Sequence, residues 1–266
     1  GVMTTHTDLI SFLEEIRPLV WNVINGYLPL REPHGHYQMI REYPERQGKY
    51  LRPGLLILGT ELFGARREDA LLPAAAMQLS EEWLLIHDDV EDGSASRRRT
   101  REFLNPALQR IYGDPLAINA GDALHIIMWR VVYDAARAML PVDRGHEFFF
   151  HMQDILLTTM EGQFLELNWI REGNTALTED DYCNMVFRKT GRYTVSGPLA
   201  LGALVAGASH EHVQKIADWA IPLGAAFQII DDMLNLTEFD EMTGKERGGD
   251  ILEGKRTIPL IHLLRS

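Results

Sequence analysis

Residues 70–92 read ALLPAAAMQLSEEWLLIHDDVED, and this stretch decides the fold. From Ala70 to Val90 it is nearly all apolar, which predicts a long helix buried at the centre of the molecule. The helix runs into Asp88-Asp89-Val90-Glu91-Asp92. Four residues is about one helical turn, so Asp88 and Asp92 share a face. Carboxylates this close repel one another unless a cation binds between them. Hard divalent cations with oxygen ligands, above all Mg²⁺, suit them best.

A second acidic cluster follows another apolar run. Phe227-Gln228-Ile229-Ile230-Asp231-Asp232 continues into Met233-Leu234-Asn235, with Asp231 and Asn235 one turn apart. Two such clusters on facing helices make a multi-metal clamp for a pyrophosphate group.

The rest of the chain also reads as helix after helix. Apolar residues at Leu9, Phe12, Leu13, Ile16, Val20, Ile24 and Leu28 follow a 3.6-residue period. Pro53 suits the first turn of a helix that runs to about Phe63 and stops at Gly64. Further helices are predicted over Leu116–Leu140, Glu147–Ile170, Asp181–Thr190, Val195–Ala208 and Glu211–Leu236. Strand alternation is absent over any useful length. Loops are marked at Glu32-Pro33-His34-Gly35, Gly93-Ser94-Ala95-Ser96, Glu172-Gly173-Asn174 and Thr243 to Gly249. No repeat or linker interrupts the chain, so the expected fold is all-α, one domain over residues 1–266. Gly1-Val2 ahead of Met3 reads as an appended remnant.

Composition narrows the function. The 266 residues carry a formal net charge of −12, which argues against nonspecific nucleic-acid binding. The one cysteine, Cys183, permits no internal disulfide and no thiolate metal site, which fits a cytoplasmic setting. No apolar run is long and uninterrupted enough to span a membrane.

Basic residues stand where phosphates can be met. Lys49 and Arg52 lie at a helix start, where free N–H groups and the helix dipole favour an anion. Arg97 and Arg98 follow the first acidic cluster after a short loop. Lys189-Thr190 ends a helix, and Lys245 and Lys255 flank the loop after the second cluster. Arginine offers a planar fork to phosphate and lysine a point charge. The set reads as two anion sites, one dependent on metal and one not.

Gly48-Lys49…Arg52-Pro53, Ile86-His87-Asp88-Asp89…Asp92…Arg97-Arg98, Gly162-Gln163, Lys189-Thr190, Phe227-Gln228…Asp231-Asp232 and Gly244-Lys245…Gly254-Lys255 occur in order. Over roughly Lys49 to Leu264 the chain resembles the trans-isoprenyl diphosphate synthases, the head-to-tail polyprenyl synthetases. The resemblance implies a helical bundle around a central cavity, and a homodimer. It implies that an allylic diphosphate is ionised and that isopentenyl diphosphate then attacks the cation. Asp88 and Asp92 would hold two Mg²⁺ ions and Asp231 a third, with Asp89, Asp232 and Asn235 in the same clusters. Arg98, Lys189 and Lys255 would neutralise the allylic diphosphate, with Lys245 nearby. Lys49, Arg52 and Arg97 would hold isopentenyl diphosphate. Thr190 and Gln228 would steady the cation and the metal shell, and the departing pyrophosphate would be the base. Trp83, five residues before Asp88, reads either as the floor of a prenyl tunnel, giving short products of farnesyl to geranylgeranyl size, or as a packed core residue. His87 reads as packed or supporting. Gln163 and Glu166, three apart, read as support for a metal shell or as a surface pair.

Four residues depart from the family pattern. Glu81 stands where a His or Gln usually helps bind isopentenyl diphosphate, Asn235 where an aspartate closes the second cluster, Arg99 where a glycine follows the paired arginines, and Glu166 where an aspartate is common. The chain also ends soon after Lys255, where family members continue with further helices. These departures leave two alternatives. One is ionisation with a different outcome, as in a terpene cyclase or with a non-diphosphate acceptor. The other is a non-catalytic subunit of a heteromeric synthase.

Overall fold

The computed structural model describes residues 6–99 and 104–237. In chain order they form α1 (His6–Tyr27), α2 (His34–Arg46), α3 (Leu51–Leu62), a 3-10 turn (Arg67–Ala70) and α4 (Leu71–Asp92). A small antiparallel hairpin follows, β1 (Ser96–Arg99) with β2 (Leu104–Pro106). Then come α5 (Leu108–Tyr112), α6 (Asp114–Arg137), α7 (Val142–Glu172), α8 (Glu179–Val186), a π-helical segment (Phe187–Ser196), α9 (Gly197–Val205) and α10 (His210–Thr237). The fold is all-α, as expected. Among the described residues no helix is long and apolar enough to cross a membrane.

The apolar run that suggested a central helix is central. α4 packs against α1, α2, α3, α5, α6 and α9. Ala74, Ala75, Ala76, Met77, Leu79 and Ile86 are fully buried along it. The alanines let neighbouring helices approach closely, while Leu79 and Ile86 each contribute about 1.5–3 kcal/mol by leaving water. A smaller cluster of Trp169, Leu177, Tyr182, Met185, Val186 and Ala225 forms where α7, α8 and α10 meet.

Three features differ from the sequence expectation. The segment read as a loop around Glu32 to Gly35 opens α2, a mostly polar helix that buries only Met39, Ile40, Tyr43 and Pro44. The residues after Gly93 pair as a hairpin too short to show strand alternation. The gap expected between Thr190 and Val195 is closed. α8 begins at a capping box, where Thr178 Oγ1 accepts from the Asp181 amide at 3.1 Å and the Asp181 carboxylate accepts from the Thr178 amide at 2.9 Å. It then runs through the π-helical segment into α9 without a break. A widened turn of this kind re-aims side chains and is common at functional sites.

Candidate active site

Glu81, Leu85, Asp88 and Asp92 recur at helical spacing and form one face of α4, each half-buried. Asp88 and Asp92 therefore stand one turn apart, as expected. Glu81 lies about 10 Å further down the same face.

Asp89, about 100° round the helix from Asp88, is turned into the core. It has no solvent exposure and accepts from the Tyr43 hydroxyl at 2.6 Å and from Arg97 Nε at 2.9 Å and Nη2 at 2.5 Å. Tyr43 in turn accepts from the Leu108 amide at 3.0 Å. Burial holds the Tyr43 hydroxyl above the ordinary tyrosine value, and Asp89 adds to the effect. Burial alone would pull the Arg97 guanidinium down, but Asp89 more than reverses that and keeps it charged. Gln109 closes the helix end, donating to the backbone oxygens of Asp89 at 2.9 Å and Ser94 at 2.8 Å. Asp89, expected among the metal ligands, and Arg97, expected at a diphosphate, are thus partners of each other in this structure. Their buried ion pair fixes the end of α4. Tyr43 and Gln109 carried no signal in the sequence, because their partner lies on a different element.

Opposite α4, one helix organises the cationic side. Gln163 of α7 donates to Glu91 at 2.7 Å, and Glu166 one turn on pairs with Lys189 at 2.9 Å. Gln163 and Glu166 are buried, so the surface-pair reading does not hold. A Cβ at Gly162 would come within 2.3 Å of the Lys189 backbone nitrogen, so only glycine lets α7 approach the π-helical segment this closely. Thr190, also buried, donates to Gln228 of α10 at 3.2 Å. A Cβ at Gly224, one turn earlier, would meet the Gly191 oxygen at 2.7 Å. The backbone of α10 is thereby held against Thr190 just ahead of Asp231.

The start of α3 makes a third group. Gln47 (φ 47°) and Tyr50 (φ 60°) adopt left-handed backbone conformations that cost non-glycine residues energy, around an exposed Lys49. Arg52 in the first turn donates from Nη1 to Glu81 at 3.1 Å and from Nη2 to Thr194 Oγ1 at 2.9 Å. Its guanidinium stacks 4.3 Å from the Tyr193 ring centroid, and the Tyr193 hydroxyl is bonded to Ser80 Oγ at 2.8 Å. Sequence reasoning found Arg52 and Glu81 separately but not that they are partners.

Trp83 is 5% exposed. Its indole N–H points at Met128 Sδ, 3.2 Å away, and its ring lies 4.4 Å from that of His125. Trp129 Nε1 donates to His125 at 2.8 Å. His87 rests over Gly121, with Nε2 3.2 Å from the Ile118 oxygen, a packed position rather than a ligand's. The backbones of Asp231, Asp232 and Asn235 lie on the last turns of α10, and their side chains fall outside the description. So does the side chain of Arg98 on β1, while Lys245 and Lys255 lie outside the described residues.

The profile of one family, polyprenyl synthetase, matches residues 34–266. The chain belongs to the polyprenyl synthetase family. It is 36% identical over 254 residues to a geranylgeranyl diphosphate synthase of Sulfolobus acidocaldarius, covering 96% of this chain and 74% of that one. A geranylgeranyl diphosphate synthase of Methanosarcina mazei is 31% identical, with 96% and 76% covered. Among solved structures, geranylgeranyl pyrophosphate synthetase from Pyrococcus horikoshii superposes with a TM-score of 0.85 at 29% identity, over 98% of this chain and 76% of that one.

The donors of this polyprenyl synthetase suit a hard cation. Asp88 and Asp92 offer carboxylate oxygens on one face. The buried Gln163 Oε1 has no hydrogen-bond partner, an acceptor suited to a metal-bound water. Among the described residues no group of three acidic, His or Cys side chains gathers on one point.

Proposed function

We infer that this chain condenses an allylic diphosphate with isopentenyl diphosphate, head to tail, to give a short-chain prenyl diphosphate and pyrophosphate. The observation that carries the reading is the pairing made by α7. Gln163 is bonded to Glu91 of the acidic cluster, and Glu166 one turn away holds the Lys189 ammonium. An acidic helix end and a cation are thus held by neighbouring turns of one helix, close enough for the Lys189 charge to act on Glu91, as binding a metal-complexed diphosphate requires. Two similar proteins named geranylgeranyl diphosphate synthases point the same way. Neither a cyclase-like outcome nor a non-catalytic subunit is favoured.

In this reading Asp88 and Asp92, with Asp231, Asp232 and Asn235 of α10, hold up to three Mg²⁺ ions. When bound, the metal neutralises charge developing on the leaving diphosphate. Lys189 exchanges Glu166 for a diphosphate oxygen, and Arg98, Lys245 and Lys255 supply further positive charge. Thr190 and Gln228, bonded to each other, line the place where the allylic cation forms. Lys49 and Arg52 bind isopentenyl diphosphate without Arg97. Trp83, braced by Met128 and His125, closes the end of the chain cavity and limits product length to about the C15–C20 class.

The protein acts as a homodimer in this reading. Phe150, Leu157 and Phe164 are each more than half exposed and recur every seven residues on α7. Ile126 and Tyr133 do the same on the adjoining α6. Heptad-spaced apolar residues on neighbouring helices suit a second helix pair. With its lone cysteine, we place the protein in the cytoplasm, as one domain. Calorimetry with an unreactive allylic thiolodiphosphate tests the site. Binding should be tight with Mg²⁺ and greatly weakened in EDTA or in Asp88→Ala. Binding as tight in EDTA as with Mg²⁺ would refute it.

A further inference from the structure

The pairing of Arg52 with Glu81 is not accounted for by diphosphate binding. Arg52 and Glu81 side chains are 17% and 21% exposed, so water screens the pair only partly. The guanidinium is held on three sides, by Glu81, by Thr194 and by the Tyr193 ring. Its Nε is buried with no hydrogen-bond acceptor. Arg52 is therefore fixed in place yet retains an unused donor. Together Lys49, Arg52 and Glu81 carry one net positive charge, where the two cations alone would carry two. An incoming diphosphate must compete with a carboxylate already seated on the arginine it needs, and it meets that carboxylate as a like charge.

We propose that Glu81 is an internal competitor for Arg52 and sets the affinity of the metal-independent anion site, keeping it weak for diphosphates. The proposal rests on that site's being the isopentenyl diphosphate site. A ligand that binds only when a competing contact is broken has its apparent affinity reduced by the fraction of protein in the open state. Thr194 makes the contrast. It also holds Arg52, but it is neutral, so it positions the guanidinium without competing for it. A specificity residue that acts through charge and one that acts through position therefore predict opposite signs on substitution.

The test compares Glu81→Gln, which keeps an acceptor of the same shape without the charge, with Thr194→Val. KM for isopentenyl diphosphate is measured at saturating allylic diphosphate. In Glu81→Gln it should fall roughly 5- to 30-fold, the effect of removing one partly screened charge at ion-pair distance. In Thr194→Val it should rise. KM for the allylic diphosphate should move less than about twofold in Glu81→Gln, because that substrate is held by other groups. A rise or no change in KM for isopentenyl diphosphate in Glu81→Gln would make Glu81 a positioning residue only and overturn the proposal. Calorimetric titration of inorganic pyrophosphate into the metal-free protein reads the same site without turnover. Tighter binding to Glu81→Gln than to wild type is expected, and equal or weaker binding overturns the proposal. Failure of wild type to incorporate isopentenyl diphosphate would instead refute the assigned reaction, and the pyrophosphate titration would still decide the role of Glu81.

Discussion

Arg97 grips Asp89 through two N–H···O contacts, 2.9 Å from Nε and 2.5 Å from Nη2, at a carboxylate with no solvent exposure. The pair anchors the end of α4 through the second aspartate of the acidic cluster, while Asp88 and Asp92 are half-buried on an adjacent face. Breaking a buried ion pair by removing one partner typically costs about 3–5 kcal/mol, because the other charge is left uncompensated. Arg97→Ala should lose about that much in chemical denaturation. Asp88→Ala should lose less than about 1 kcal/mol of stability but at least about 10³-fold in kcat, as expected when transition-state charge stabilisation is removed. An Arg97→Ala protein as stable as wild type, with only KM for isopentenyl diphosphate raised, would return Arg97 to the substrate site.

Trp83 packs against Met128 and His125 of α6. Trp83→Ala should remove the floor of the chain cavity and lengthen the products by one or more isoprene units. It should also cost about 3–5 kcal/mol in stability, the usual result of truncating a buried aromatic. Chromatography of dephosphorylated products checks the first effect. Unchanged chain lengths in a folded variant would reduce Trp83 to a core residue.

The Tyr43 hydroxyl is held above its ordinary value by burial and by Asp89. In the unfolded chain it loses its proton near pH ~10, whereas in the folded protein it keeps it to higher pH. Its contribution to stability is therefore full below pH ~10 and is lost as pH rises above that value, at up to about 1.4 kcal/mol per pH unit. Tyr43→Phe cannot titrate. Between about pH 10 and pH 11.5 wild type should lose stability more steeply than Tyr43→Phe, as read by denaturant midpoints. Parallel curves would mean that the hydroxyl is not shielded in the folded state.

Leu157 lies in the middle of the exposed apolar stripe on α7 and beside a surface cavity of about 450 Å³ lined by Met160, Phe164, Leu165, Asn184 and Arg188. A carboxylate there would have to be desolvated on dimerisation, so Leu157→Glu should give a monomer with unchanged helix content. Light scattering after size exclusion measures it. A Leu157→Glu dimer of undiminished stability would place the interface elsewhere.

Much of this architecture is legible in the sequence because burial and periodicity coincide. The long apolar run before Asp88 has one stable solution, a central helix, and the helices at the chain's other apolar periods follow from the same rule. α2 escaped because His34–Arg46 is mostly polar and buries only four residues, three of them close together at its C-terminal half. The β1–β2 hairpin escaped because its job is done by Arg97, whose signature in a sequence is a surface charge. The functional residues divide the same way. Asp88 and Asp92 are marked by their spacing and Lys189 by its place at a helix end, whereas Thr190 and Gln228 were expected at the site only through the family resemblance. The fates of Asp89, Arg97 and Glu81 depend on partners 8 to 46 residues away, on other elements, and no local pattern carries that information.

The most direct measurement is incubation of the purified protein with Mg²⁺, labelled isopentenyl diphosphate and each of dimethylallyl, geranyl and farnesyl diphosphate, with products resolved by chain length. Label should enter prenyl diphosphates no longer than about C20, and EDTA should abolish incorporation. Release of pyrophosphate from the allylic substrate with no label in any product would contradict head-to-tail condensation as the reaction of this site.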